Sequence, residues 1–309
     1  MSIREKFQGN SRFSNFDLLA KSIVEGYMSG IHKSPFHGFS AEFAEHKIYN
    51  NGDNIKHIDW KLFAKTEKLY TKRYEEETNM RCHIIIDQSS SMHYPKINES
   101  PNLDYNKIEF SALSSAIILH ILKKQRDAAG LSLFDSDYNF YAPEKSNERH
   151  FSMLINKLEQ ATLTKSRNSL TKTYEVLHKI SEKLKRRSMI FLFTDFFQAN
   201  IESSKLFEAM RHLKHNKHEL VLFHVYDKKT EFNFDFKNEP KQFIDLETGR
   251  SIKLFPKYFK EKYNNQAEDY FSNLRLKCAQ YKINYVDVDI RKGFEKILLT
   301  YFEKRHKFL

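Results

Sequence analysis

Asp87, Ser89 and Ser91 place one carboxylate and two hydroxyls at positions i, i+2 and i+4, directly after the β-branched run Ile84-Ile85-Ile86. An apolar run this short suits a strand buried on both faces, and the abrupt polar stretch suits a loop leaving its carboxyl end. On such a loop the spacing can turn three oxygens toward one point. Oxygen-only donors match a hard cation such as magnesium, which keeps several waters and takes few protein ligands. Open α/β sheets bind ligands outside the carboxyl ends of their strands, so the position fits too. The same residue types also build ordinary turns and helix caps. The case for a metal loop therefore rests on what converges with it from elsewhere in the chain.

A second apolar run, residues 189–193, also ends in polar residues, Thr194 and Asp195. Thr171 opens the helix just before that strand, with Thr173 as a competing hydroxyl. If the two strands are neighbours where the sheet reverses direction, Asp87, Ser89, Ser91, Thr171 and Asp195 surround one small cation.

The surrounding pattern supplies such a sheet. Strands are expected at 84–86, 129–134, 189–194, 220–226 and 284–290, and helices at about 15–28, 108–127, 148–160, 170–184, 201–215, 256–279 and 294–303. Residues 135–139 read as a hairpin turn. Residues 231–254 read as a β-hairpin excursion turning at Thr248-Gly249. Asp59 is placed to cap a short helix through Trp60, Phe63 and Ala64. Strands that are apolar throughout and alternate with helices predict a doubly wound, mainly parallel sheet with helices on both faces.

At 309 residues, with 40% hydrophobic and 14% aromatic content, the chain can bury a sizeable core. Eight Gly and six Pro leave little room for long flexible linkers. Cys82 and Cys278 both sit within apolar patterns, which predicts core packing in a reducing compartment. No apolar run approaches a membrane span and no signal peptide is legible, so a cytoplasmic protein without a membrane span is expected. The formal charge of +11 permits acidic partners, nucleic acid or anionic surfaces without naming one. His32 and His37 lack an acidic or Cys partner at zinc spacing. His212, His215 and His218 read as surface histidines.

Asp-x-Ser-x-Ser, a later Thr and a later strand-end Asp resemble von Willebrand factor A-type domains with a metal-ion-dependent adhesion site. The stretches Gly38-Phe39-Ser40-Ala41-Glu42-Phe43, residues 49–60, Ala64-Lys65, residues 72–77 and residues 243–249 narrow the resemblance to the family called domain of unknown function 58. That family carries Gly-Asp-x-x-Arg-x-Ile-Asp-Trp ahead of an A-type domain. Here Lys56 stands at the Arg position, which forgoes bidentate contacts, and Asn51 stands where Pro is usual.

The resemblance implies an A-like domain over residues 80–309, with residues 1–79 as a family-specific segment; the size of that segment and the absence of a flexible linker before Arg81 predict that it packs on the domain, with Trp60, the only Trp, as a buried anchor. It implies Ser89, Ser91 and Thr171 as direct ligands of magnesium or manganese, with Asp87 and Asp195 acting through water. It also implies a non-enzymatic interaction module whose bound ion takes a carboxylate from a partner protein, a MoxR-type AAA+ ATPase, in maturation or assembly of other proteins. A metal-dependent hydrolase and a nucleic-acid-binding protein are the alternatives. The first lacks a base in the motif, a phosphate loop, a His-Glu-x-x-His element and a Gly-x-Ser-x-Gly elbow. The second lacks any recognition motif, and its aromatics follow core periodicities.

Overall fold

β-branched and aromatic runs alternate with amphipathic stretches along most of the chain, and they fold as strands and helices close to the bounds the periodicity predicts. The computed structural model describes residues 12–31, 43–49, 58–74, 80–97, 103–135, 138–163, 173–185, 187–195, 203–215, 217–246 and 248–308. Contacts divide the chain into a smaller unit, Gly26–Asn79, and a larger one that takes in Met80–Leu309 and the first helix as far as Glu25. His32, His37, Lys56 and Thr171 lie outside the described residues.

That helix, α1 (Arg12–Ile31), is followed in the smaller unit by β1 (Phe43–Ile48), α2 (Trp60–Thr66) and β2 (Tyr70–Tyr74). The two strands pair antiparallel, with Ile48 opposite Tyr70. Asp59 caps α2 as expected. Its Oδ1 accepts from the amides of Lys61 at 3.0 Å and Leu62 at 3.1 Å, groups that no helical carbonyl can reach. Trp60 departs from expectation. It is 60% exposed and meets Phe63 edge-on, and α2 buries none of its residues.

The larger unit continues with β3 (Arg81–Asp87), α3 (Lys107–Lys124), β4 (Ala128–Phe134), β5 (Tyr138–Lys145), α4 (Glu148–Leu163), α5 (Thr173–Lys183) and β6 (Met189–Thr194). Then come α6 (Ser203–His215), β7 (Glu219–Tyr226), β8 (Lys241–Ile244), β9 (Ser251–Leu254), α7 (Pro256–Gln280), β10 (Asn284–Asp289) and α8 (Glu295–Phe308). Six strands form one sheet in the order β10-β7-β6-β3-β4-β5. All pair in parallel except β5, which runs antiparallel to β4.

Alternate residues on the central strands feed two cores. Ile85, Ile190, Leu192 and Leu222 pack with Leu177, Met210, Leu274 and Cys278 from α5, α6 and α7. Their neighbours Ile84, Ile86, Phe191 and Phe193 are also wholly buried. On that side Phe191 meets Tyr301 of α8 at 6.0 Å, and Phe110 of α3 stacks on Phe294 at 4.7 Å. The sheet is therefore mainly parallel, with helices on both faces.

Three local readings change. β5 follows the anticipated turn, although Pro143 and its polar residues hid it; edge strands and irregular registers tolerate proline. The excursion after β7 begins as a π-helical turn, Lys228–Phe232, so Phe232 and Phe234 are not strand residues. They join an aromatic cluster in which Phe234 lies 5.4 Å from Phe243 and 4.5 Å from Tyr263. Only β8 and β9 form the hairpin, turning near Gly249, whose φ of +72° is the left-handed region that glycine allows. His218 is buried rather than superficial, and its Nδ1 accepts the Ser188 amide at 3.1 Å.

Candidate functional site

From β3 the chain moves outward through β4 to β5, then returns to lay β6 on the opposite side of β3. The sheet reverses direction there. Crevices at such points are where open α/β sheets hold ligands. Ile86 of β3 stands opposite Phe193 of β6, so the residues that follow them, Asp87 and the pair Thr194-Asp195, emerge side by side.

Local hydrogen bonds fix the first carboxylate. Asp87 Oδ1 accepts the Ser89 amide at 2.9 Å, and Oδ2 accepts the Thr194 hydroxyl at 2.8 Å. The Ser89 and Ser91 hydroxyls lie 3.0 Å apart at the start of a 3-10 turn, Ser90–His93, and the Ser91 hydroxyl also bonds the Asp195 carboxylate. Four of the five residues singled out in the sequence thus come together. Thr171 lies outside the described residues, and Thr173 is the first residue of α5.

The two carboxylates are in opposite electrostatic situations. Burial, reinforced by the nearby charge of Asp195, pushes the Asp87 pKa up to about 7 against its hydrogen bonds from Ser89 and Thr194. Burial would also raise Asp195, but the Lys107 ammonium and hydrogen bonds from Lys107 and Ser91 outweigh it and hold the group below the ordinary carboxylate range.

Lys107 is the principal residue that sequence reasoning missed. It is wholly buried at the start of α3, and its Nζ donates to Asp195 Oδ2 at 2.8 Å and to Glu231 Oε1 at 2.5 Å. Glu231 in turn accepts the Asp227 amide through Oε2 at 2.7 Å. His224 was missed as well. Its Nε2–H donates to the Asp195 carbonyl at 2.8 Å, and its Nδ1 accepts the Tyr285 hydroxyl at 2.8 Å. Burial drives its pKa down to about 4, so the imidazole is neutral and committed to these two bonds.

Among the described residues, no group of three or more His, Cys, Asp or Glu side chains is arranged to hold a metal. The centre at the strand ends has a different donor chemistry: two carboxylates and two hydroxyls, all oxygen. That set fits a hard divalent cation and not a zinc-type ion. The like-charge pressure on Asp87 is also what a cation would relieve. Lys107 already satisfies one oxygen of Asp195, so that carboxylate offers a cation at most its other side.

Toward the amino end of β3, a second polar network crosses the sheet. His83 Nδ1 and Glu144 Oε1 are 2.7 Å apart, and His83 Nε2 lies 2.7 Å from Ser132 Oγ. The order Ser, His, Glu has the connectivity of a nucleophilic triad. Ser132 and His83 are wholly buried, however, and Tyr141 stacks on the imidazole at 5.4 Å. The network ties β3, β4 and β5 together. It exists because Gly130 carries no side chain: a Cβ there would lie 2.4 Å from His83 Nδ1.

A model of the family described as protein of unknown function DUF58 matches residues 45–269. The uncharacterized protein YeaD of Bacillus subtilis is 25% identical over 126 residues, which cover 40% of this chain and 28% of YeaD. The uncharacterized protein Rv1480 of Mycobacterium tuberculosis is 23% identical over 78 residues, 25% of each chain. The chain thus aligns with only about a quarter of the length of these relatives. Among solved structures, the conserved hypothetical protein BatB from Bacteroides thetaiotaomicron covers 74% of this chain and 99% of its own at 15% identity, with a TM-score of 0.46. An aerotolerance-related membrane protein from Bacteroides fragilis covers 73% and 99% at 15% identity, with a TM-score of 0.44.

Proposed function

Since the chain belongs to the DUF58 family, we propose that it is a non-enzymatic, metal-dependent protein-interaction module with a von Willebrand factor A-like core. The observation that carries this reading is the convergence of Asp87, Ser89, Ser91 and Asp195 at the reversal of the sheet. Magnesium or manganese would be held there by the hydroxyls of Ser89, Ser91 and Thr171, with Asp87 and Asp195 contributing through water. Such an ion supplies an electrophilic point for a carboxylate from a partner protein. The chain's own residues do the rest. Thr194 and the Ser89 amide orient Asp87, while Lys107 holds Asp195 ionised.

Two features favour binding over catalysis. The imidazole that touches the centre, His224, is neutral and fully engaged. General-base chemistry asks for a group whose pKa lies near the working pH and whose nitrogen is free to take a proton. The oxygen donors, by contrast, suit a cation that keeps an exchangeable position.

The partner we propose is a MoxR-type AAA+ ATPase presenting an acidic side chain, with both proteins working in the cytoplasm on maturation or assembly of other proteins. No helix among the described residues is long and apolar enough to cross a membrane. The test is binding of the purified chain to the co-expressed ATPase at fixed ionic strength, with EDTA or with excess magnesium. Chelator, and the double change Ser89→Ala with Ser91→Ala, should each weaken binding at least about tenfold, the equivalent of 1.4 kcal/mol. Affinity indifferent to both would mean that the centre is structural and any partner docks elsewhere.

A further inference from the structure

After β7 the chain leaves a group of large apolar side chains in solvent. Tyr258 is 80% exposed, Ile252 59%, Ile244 56%, Phe259 46% and Phe255 45%. All five belong to the β8–β9 hairpin or to the start of α7. In the hairpin, Phe243 stands opposite Ile252 and Ile244 opposite Ser251. Because successive strand residues point to opposite faces, Ile252 and Ile244 emerge on different sides of the ribbon. The hairpin therefore carries Ile252 on the face it shares with Phe243, and Ile244 on the other face beside Gln242, Ser251 and Lys253. It is also well founded, since the Phe243 ring lies in the aromatic cluster with Phe234 and Phe236. Just beyond it, the Phe255 and Tyr258 rings meet edge-on at 6.1 Å.

Basic side chains are interleaved with these apolar ones. Arg250, Lys253, Lys257, Lys260 and Lys262 are all exposed. Lys260 has a weak partner in Asp235 at 3.7 Å. Over residues 244–262 the sequence holds five basic residues against three acidic ones, Asp245, Glu247 and Glu261, so the stretch is net basic.

Exposed apolar patches with a polar rim mark a protein or a lipid contact. The headgroup region of an anionic bilayer takes exposed apolar and basic side chains together. Tyr and Phe rings sit at that depth, and lysines on aliphatic stems reach back to phosphates. We infer that the β8–β9 hairpin and the first turn of α7 dock on an anionic phospholipid surface. The excess of basic residues selects anionic lipid over neutral lipid, each contributing on the order of a tenfold gain or less. This surface is distinct from the Asp87 centre and needs no metal.

The experiment is flotation of the full chain with vesicles of equal parts phosphatidylglycerol and phosphatidylcholine, against vesicles of phosphatidylcholine alone, all in EDTA. Binding should favour the anionic vesicles and weaken as salt is raised. Tyr258→Ser with Phe259→Ser should lower the partition coefficient at least about tenfold, given the apolar area withdrawn from water. Lys253→Glu with Lys257→Glu should lower it on anionic vesicles, whereas the same net-charge change at Lys123 and Lys124 should have little effect. All these residues are on the surface, so circular dichroism should report an unchanged fold. Equal loss from the Lys123 and Lys124 control would reduce the interaction to bulk charge and overturn the assignment. Absence of vesicle binding would overturn it too. So would patch variants that keep vesicle binding but lose an acidic protein partner, which would make the surface a protein-docking one.

Discussion

The Lys107 ammonium lies 2.8 Å from Asp195 Oδ2, with both side chains almost completely withdrawn from solvent. A buried pair of this kind adds little net stability as a pair, but removing one member strands the other. Lys107→Met leaves Asp195 and Glu231 without their shared cation. It should destabilise the protein by about 3–5 kcal/mol. Urea denaturation in EDTA is the measurement, and a loss below about 1 kcal/mol would mean that the carboxylates find other partners.

Asp87 gives a pH signature. Its pKa in the folded chain is about 7, against 3.8 for an unperturbed carboxyl, because burial and the charge of Asp195 favour the protonated form. The folded state therefore binds this proton more tightly than the unfolded state. Its contribution is fully present below about 4 and is lost as pH rises through about 7. In EDTA, the wild type should lose thermal stability relative to Asp87→Asn across that window. Excess magnesium should abolish the difference in the upper half of the window. Parallel melting curves in EDTA would show that Asp87 is not under pressure.

Glu159 of α4 is a second raised acid, remote from the candidate centre. Burial first, and the charge of Asp17 second, push it up to about 7. The sign is the same: stability is present at low pH and lost as pH rises toward 7. Glu159→Gln should therefore stabilise the chain at neutral pH, by about 1–2 kcal/mol after allowing for partial solvent screening. It should do nothing below about pH 4. Denaturant titrations at the two pH values decide it.

Gly130→Ala tests the second network. The added methyl would meet His83 Nδ1 at 2.4 Å and the Ala142 carbonyl at 2.9 Å, and the latter is backbone that cannot step aside cheaply. A loss of about 1–3 kcal/mol is expected from the overpacking, with more if the His83–Glu144 contact breaks. A neutral result in equilibrium unfolding would mean that β5 shifts outward freely.

The strand ends were legible because an apolar run that stops at a carboxylate carries its signal in adjacent residues; Ile86-Asp87 and Phe193-Thr194-Asp195 are such junctions. Their meeting was legible as well, since a doubly wound order leaves few places for a strand between two crossovers. Lys107 was not. In sequence it is one lysine among many at the start of a helix, and its partners lie 88 and 124 residues away. Burial of a lysine is a property of the assembled fold, and no periodicity announces it. β5 was hidden for a different reason: an edge strand needs neither a continuous apolar run nor every backbone donor, so no strand was expected after the turn at 135–139. Trp60 misled because aromatic size suggests burial, whereas α2 buries none of its residues.

The two outer strands of the six-stranded sheet share a property that bears on self-association. β5 carries Pro143, which offers no amide to a newcomer, and an irregular register against β4. β10 carries Asp287 and Asp289, the first already engaged by Lys296 at 2.8 Å. Proline, charge and broken register are the devices that stop one molecule's sheet from continuing into the next. Copies of this chain at high concentration should consequently resist fibre growth through that sheet.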